Sequence, residues 1–121
     1  MNNFISLAQA IAMTTTYRKN KEVILDPKYQ GQDILPICET FDRSAFDALL
    51  AEADCTYIRV YLGMDEDLKL RVIAVGANSK NEDILPPAGQ TKLDGGDGGG
   101  VIVEEGVRCP VICPPSSGLN P

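Results

Sequence analysis

Tyr57-Ile-Arg-Val-Tyr-Leu-Gly-Met64 and Leu68-Lys-Leu-Arg-Val-Ile-Ala-Val-Gly76, joined by Asp65-Glu-Asp67, are the stretch that decides the fold. In the first run Ile58, Val60 and Leu62 alternate with Tyr57, Arg59 and Tyr61, the two-residue period of a strand with one face buried. In the second, Leu70 and Val72 alternate with Lys69 and Arg71, and Ile73-Ala-Val75 is apolar throughout. Two such runs on either side of a short acidic turn predict an antiparallel hairpin.

Working outward, the segment before the hairpin has a helical period. Asp42 stands where a cap belongs, and Ala45, Phe46, Leu49, Leu50 and Ala53 form one apolar stripe that should stop near Asp54. Residues 26–37 read as an extended connection, with Gly31 and Pro36 as breakers. Nearer the start, Ser6 and Gln9 have the spacing of a capping box, and Leu7, Ala10, Ile11, Thr14 and Tyr17 share a helical face. That pattern predicts a first helix over residues 6–25, ended by Asp26-Pro27.

Beyond Asn78 the composition shifts. Pro86-Pro87, Gly89 and the tract Asp94-Gly-Gly-Asp-Gly-Gly-Gly100 read as a flexible loop. Val101-Ile-Val103 reads as one late strand, and the prolines after Cys109 predict an extended tail. The expected architecture is α+β: two N-terminal helices packed on a small antiparallel sheet of the hairpin plus the late strand. The expected layout is an α-α-β-β core over 1–78, a Pro/Gly-rich loop over 79–100 and a strand with a Pro/Cys-rich tail over 101–121, all in a single domain.

Composition narrows the function classes. The 121 residues carry a formal net charge of −6, which argues against nucleic-acid binding. Arg18, Lys19 and Lys21 form the only basic cluster and suit the solvated side of a helix. There is no histidine, so His-based triads, His acids and bases and His ligands are excluded. No run reaches the roughly 18 apolar residues of a membrane span, so membrane insertion is not expected. The apolar run Phe4 to Met13 has no basic residue before it, which departs from a secretory signal and points to the cytoplasm.

Four cysteines carry the most suggestive local chemistry. Cys109 and Cys113 have a spacing found in structural zinc sites, and Cys38 and Cys55 would complete a four-thiolate set. An extended chain would hold Cys109 and Cys113 about 13 Å apart, too far for one metal or one disulfide unless Pro110 helps the chain turn. Buried or free thiols are therefore the main expectation, with zinc or thiol-redox chemistry as the alternative. Asp65, Glu66 and Asp67 read as turn residues rather than a cation loop, and Asp94 and Asp97 as part of a linker. Glu39, Asp42, Asp47, Tyr57 and Tyr61 are carboxylates and phenols that would need a pocket to act as acids or bases.

Leu35-Pro-Ile-Cys-Glu-Thr-Phe41, Gly63-Met-Asp-Glu-Asp-Leu-Lys69 and Glu104-Glu-Gly-Val-Arg-Cys-Pro-Val-Ile-Cys-Pro-Pro115 together resemble a group of small uncharacterised bacterial proteins with a C-terminal Cys-Pro-rich tail. The resemblance implies a bacterial, cytosolic origin and brings no activity, cofactor or site residue. The missing catalytic equipment leaves a structural or protein-interaction subunit as the leading reading, a homo-oligomer or a piece of a larger assembly. Its contact surface would be the hairpin edge or the tail.

Overall fold

The computed structural model describes residues 2–87 and 100–121. The fold is α+β, with two helices and two small antiparallel sheets among the described residues. In chain order come helix α1 (Leu7–Asn20), a 3-10 turn (Pro27–Tyr29), strand β1 (Cys38–Thr40), helix α2 (Arg43–Leu50), and strands β2 (Tyr57–Met64), β3 (Leu70–Ala77), β4 (Asp83–Ile84) and β5 (Val107–Cys109). One sheet has the order β2-β3-β4 and the other pairs β1 with β5. The chain forms two compact units, Met1–Cys38 with Arg108–Pro121, and Glu39–Val107.

In the first unit α1 starts as its capping box requires. Ser6 Oγ accepts from Gln9 N at 3.0 Å, and Gln9 Oε1 accepts from Ser6 N at 2.9 Å, so two donors left open by the first turn are satisfied. The helix ends at Asn20, short of Asp26-Pro27, and residues 21–24 continue as turns. Thr14 and Thr16 donate back to the carbonyls of Ala10 and Ala12, the local alternative that makes a threonine run a poor helix interior. No residue of α1 is fully buried. Tyr17 ties it down, its hydroxyl donating to Pro36 O at 2.7 Å, and burial raises the pKa of that phenol.

After β5 the chain turns through residues 109–113, with Ile112 N donating to Arg108 O at 3.1 Å. It then runs on beside α1 without helix or strand. Arg18 donates to Leu119 O at 2.6 Å, and a Cβ built on Gly118 would lie 3.2 Å from Ile11 Cδ1. Arg108 reaches the carbonyls of Asp33 and Ile34 at 2.9 and 3.1 Å, and Ile34, Pro36 and Cys109 are buried in this unit.

The second unit is built on β3. It pairs with β2 along eight residues, from Met64 opposite Leu70 to Tyr57 opposite Ala77, and with β4 at Gly76 and Ala77. The segment expected as a late strand is reduced to one bridge, Val103 exchanging both backbone bonds with Ala74 at 2.9 Å. Leu49 of α2, Ala74 and Val103 are the buried centre, with Phe41, Ala45, Phe46, Cys55 and Val101 packed around them. Phe41 and Phe46 meet edge to face at 5.6 Å. Gly76 lets α2 and its following loop approach, since a Cβ there would come within 2.9 Å of Cys55 Sγ and 3.5 Å of Leu49 Cδ2.

The Gly-rich loop and the readings of Asp94 and Asp97 lie outside the described residues. No helix among the described residues is long and apolar enough to cross a membrane.

Leu49 is fully buried, and the small residues Ala74 and Gly76 beneath it cannot refill a gap. Leu49→Ala is expected to cost about 2–5 kcal/mol of unfolding free energy, read from the urea midpoint at unchanged slope.

Candidate interaction surface

The backbone parity of the hairpin sets what β2 shows to its surroundings. At the turn Asp65 N donates to Lys69 O at 3.0 Å, so that opposed pair is a hydrogen-bonded one. Alternation along an antiparallel ladder then makes Gly63–Arg71, Tyr61–Ile73, Arg59–Val75 and Tyr57–Ala77 the bonded pairs. The bonds of Ala74 to Val103, on the side of β3 away from β2, follow the same parity. The N–H and C=O groups of Ile58, Val60, Leu62 and Met64 consequently point away from β3, and none has a partner among the described residues.

The side chains of the same four residues share one face of the sheet. This is the face on which Leu49 of α2 sits over Ala74 and Gly76, yet α2 leaves β2 uncovered. Ile58 is 46%, Val60 55%, Leu62 72% and Met64 58% exposed. The half-buried strand expected from the alternation is therefore an apolar face left open beside an open edge.

On the other face the hairpin carries a polar cluster, with Tyr57 and Tyr61 39% and 45% exposed. Arg59 donates to Asp83 and Asn81, and the Tyr61 hydroxyl donates to Asp83, so two side chains of β2 cross β3 to reach β4. Val75 and Ala77, on that face of β3, are buried. Hydrogen bonds from Tyr61 and then Arg59 lower the carboxyl pKa of Asp83, while the bond to Asp83 raises the pKa of Tyr61. Arg59 is the only charged residue of β2, and it is held by these bonds.

Glu39, Tyr57 and Tyr61 are not brought together as an acid–base site. The N–H of Val72 points away from β2 by the same parity, and Glu39 accepts from it at 3.3 and 3.4 Å, so β3 stands between Glu39 and the two tyrosines. Asp42 is the N-cap residue of α2, and Asp47 pairs with Arg43 at 3.5 Å. Asp65 Oδ1 accepts from the N–H groups of Asp67 and Lys69 and so organises the turn. A cavity of about 250 Å³ is lined by Phe41, Asp42, Glu104 and Glu105 among others, in the second unit.

The cysteines divide differently from the expectation. Cys109 and Cys113 form a disulfide with Cα atoms 4.6 Å apart, because residues 109–113 turn rather than extend. The free-thiol reading holds for Cys38 and Cys55 alone. No group of three or more potential ligands that could hold a metal ion occurs among the described residues, so the four-cysteine set proposed for zinc is not assembled there. The disulfide holds Val111 and Ile112 outward, 87% and 69% exposed, beside the buried Cys109.

Comparison with protein-family models, with curated proteins and with solved structures gave no match. The functional reading accordingly rests on geometry.

Two measurements check these assignments. Denatured protein titrated with a thiol reagent should show two reactive thiols without reductant and four after reduction, from Cys38 and Cys55 against the bonded pair. The bridge has a pH signature. A lowered folded-state pKa makes the Asp83 contribution complete above its ordinary value of 3.8, and it is lost as pH falls through the folded value. Asp83→Asn should be less stable than the parent at neutral pH, with the gap in melting temperature closing as the pH falls below 3.8.

Proposed function

We propose that the chain is a protein-interaction or structural subunit, a homo-oligomer or a component of a larger assembly, with the β2 edge as its main contact surface. One observation carries this reading: an eight-residue edge strand whose outward backbone groups and exposed apolar side chains belong to the same four residues. A lone exposed strand of this kind is a template for pairing, and natural edges are usually blunted by Lys, Pro or a bulge. β2 contains none of the three: its register with β3 is unbroken, and its single charge is occupied by Asp83. Main-chain pairing would supply affinity, and the alternating pockets for side chains would supply specificity.

The disulfide favours a second reading, a thiol-redox module placed in the cytoplasm. Cys109 is buried while Cys113 is exposed, so an incoming thiol would meet the Cys113 sulfur first. Equilibration of the pair with glutathione buffers, at potentials near the cytosolic poise, would support this role. A pair that stays oxidised throughout would make it a structural staple.

Leu62 is the most exposed apolar residue of β2. Leu62→Lys should leave the melting temperature within a few degrees of the parent and cut the recovery of bound protein, own chain or other, at least tenfold in affinity capture. Equal recovery with parent and variant would remove β2 as the contact surface. Val111→Asp is the matching variant for the tail, since deleting residues 105–121 would also remove β5, the disulfide and the Arg108 bonds.

A further inference from the structure

We infer that the partner of β2 is a second copy of the same strand, paired antiparallel about a two-fold axis that passes through Tyr61. This rests on the reading of β2 as the contact edge and names its occupant.

The argument is one of register. In any antiparallel pair the residues that exchange bonds must both point their backbone groups at the neighbour. On the outer edge of β2 these are the even-numbered residues only, so a self-pairing must match even with even. The arrangement centred between Val60 and Tyr61, which would overlap the two strands fully, matches even with odd and is excluded. Shifting the centre to Tyr61 sets Ile58 opposite Met64 of the partner subunit and Val60 opposite Leu62 of the partner subunit. All four outward residues of both copies are then bonded. Centring on Val60 or on Leu62 leaves one of the four unmatched within the strand.

Side-chain chemistry agrees with this register. On the open face every apposed pair is apolar, so Ile58, Val60, Leu62 and Met64 of both copies stand side by side as one apolar row. On the opposite face Tyr61 meets its own copy, and Arg59 lies opposite Gly63 of the partner subunit, where no side chain competes with its bonds to Asp83 and Asn81. Within β2 no like charges face each other, the arrangement that would oppose pairing. The self-complementarity is the isologous pattern of a two-fold interface. Two three-stranded sheets become one six-stranded sheet, β4-β3-β2 continued through the two-fold into the partner. Pairing joins the two main-chain edges and covers the flanks of these side chains, an interface at the small end of the specific ones, so a weak and reversible association is expected.

Sedimentation equilibrium and native mass spectrometry on the full chain, from about 1 to 200 μM, supply the first test. A reversible dimer is expected, and Val60→Lys should raise its dissociation constant at least tenfold while the far-ultraviolet dichroism and melting curve stay those of the parent. Cross-linking supplies the register, in a background with Cys38→Ser and Cys55→Ser. Copies carrying Ile58→Cys and copies carrying Met64→Cys should cross-link on mixing and not separately, because opposed bonded residues have Cα atoms about 5.5 Å apart, within disulfide reach. Tyr61→Cys should cross-link alone. The mixture of the two single-site variants leaves the Tyr61–Asp83 bond in place, so a folding failure of Tyr61→Cys does not remove the test. A monomer throughout, with Ile58, Val60, Leu62 and Met64 amides either exchanging freely or protected within the monomer, overturns the inference. A dimer without the Ile58–Met64 link also overturns it. Loss of the second-copy inference with Leu62→Lys still abolishing capture of another protein would leave the broader interaction reading standing, and the two failures are thus separable.

Discussion

β3 is the constraint on which the second unit depends. Its odd residues spend their backbone groups on β2, and its even residues turn theirs to Val103, to β4 and to the Glu39 carboxylate. Because Ala74 and Gly76 are small, Leu49 packs directly onto the strand and the core centres there. A central strand bonded on both sides fixes the parity of its neighbour as well. Once the turn sets Asp65 opposite Lys69, the outward residues of β2 are determined, and they are the apolar ones.

What could be read from the sequence follows how local each signal is. The capping box Ser6–Gln9 needs only four residues, and the hairpin needs two periodic runs and a turn, so both stand close to where the residues placed them. Strands β1, β4 and β5 span two or three residues each and exist through partners distant in sequence, so no periodicity announces them. The same holds for Val103, which meets β3 at one bridge instead of forming a strand. Alternation in β2 was legible, but burial was not: Ile58, Val60 and Leu62 show one apolar face, and only the position of α2 over β3 reveals that nothing from the described chain covers it. For the cysteine pair the sequence leaves open whether the chain extends or turns at Pro110. The turn marked by the Ile112-to-Arg108 bond decides it and brings the Cα atoms to 4.6 Å.

The two faces of the hairpin do different work. Arg59 and Tyr61 cross β3 to Asp83 and bind the short β4 to the sheet, which two backbone pairs would hold only weakly. The cluster thereby supplies stability at a place where the ladder is thin. It also removes the one charge of β2 from the edge, since a guanidinium engaged by Asp83 and Asn81 is not available to repel an approaching strand.

That coupling explains why the edge remains open without being protected. A lysine in place of any of Ile58, Val60, Leu62 or Met64 would blunt the edge at no cost to the core, because none of the four is buried. A strand carrying four large apolar side chains that its own fold does not bury has the composition of an interior, not of a rim. Nothing among the described residues supplies that burial. The parity of the ladder requires a paired strand to meet the even residues. Among the strands of this chain, β2 itself has the length and the parity to do so with all four of its outward residues.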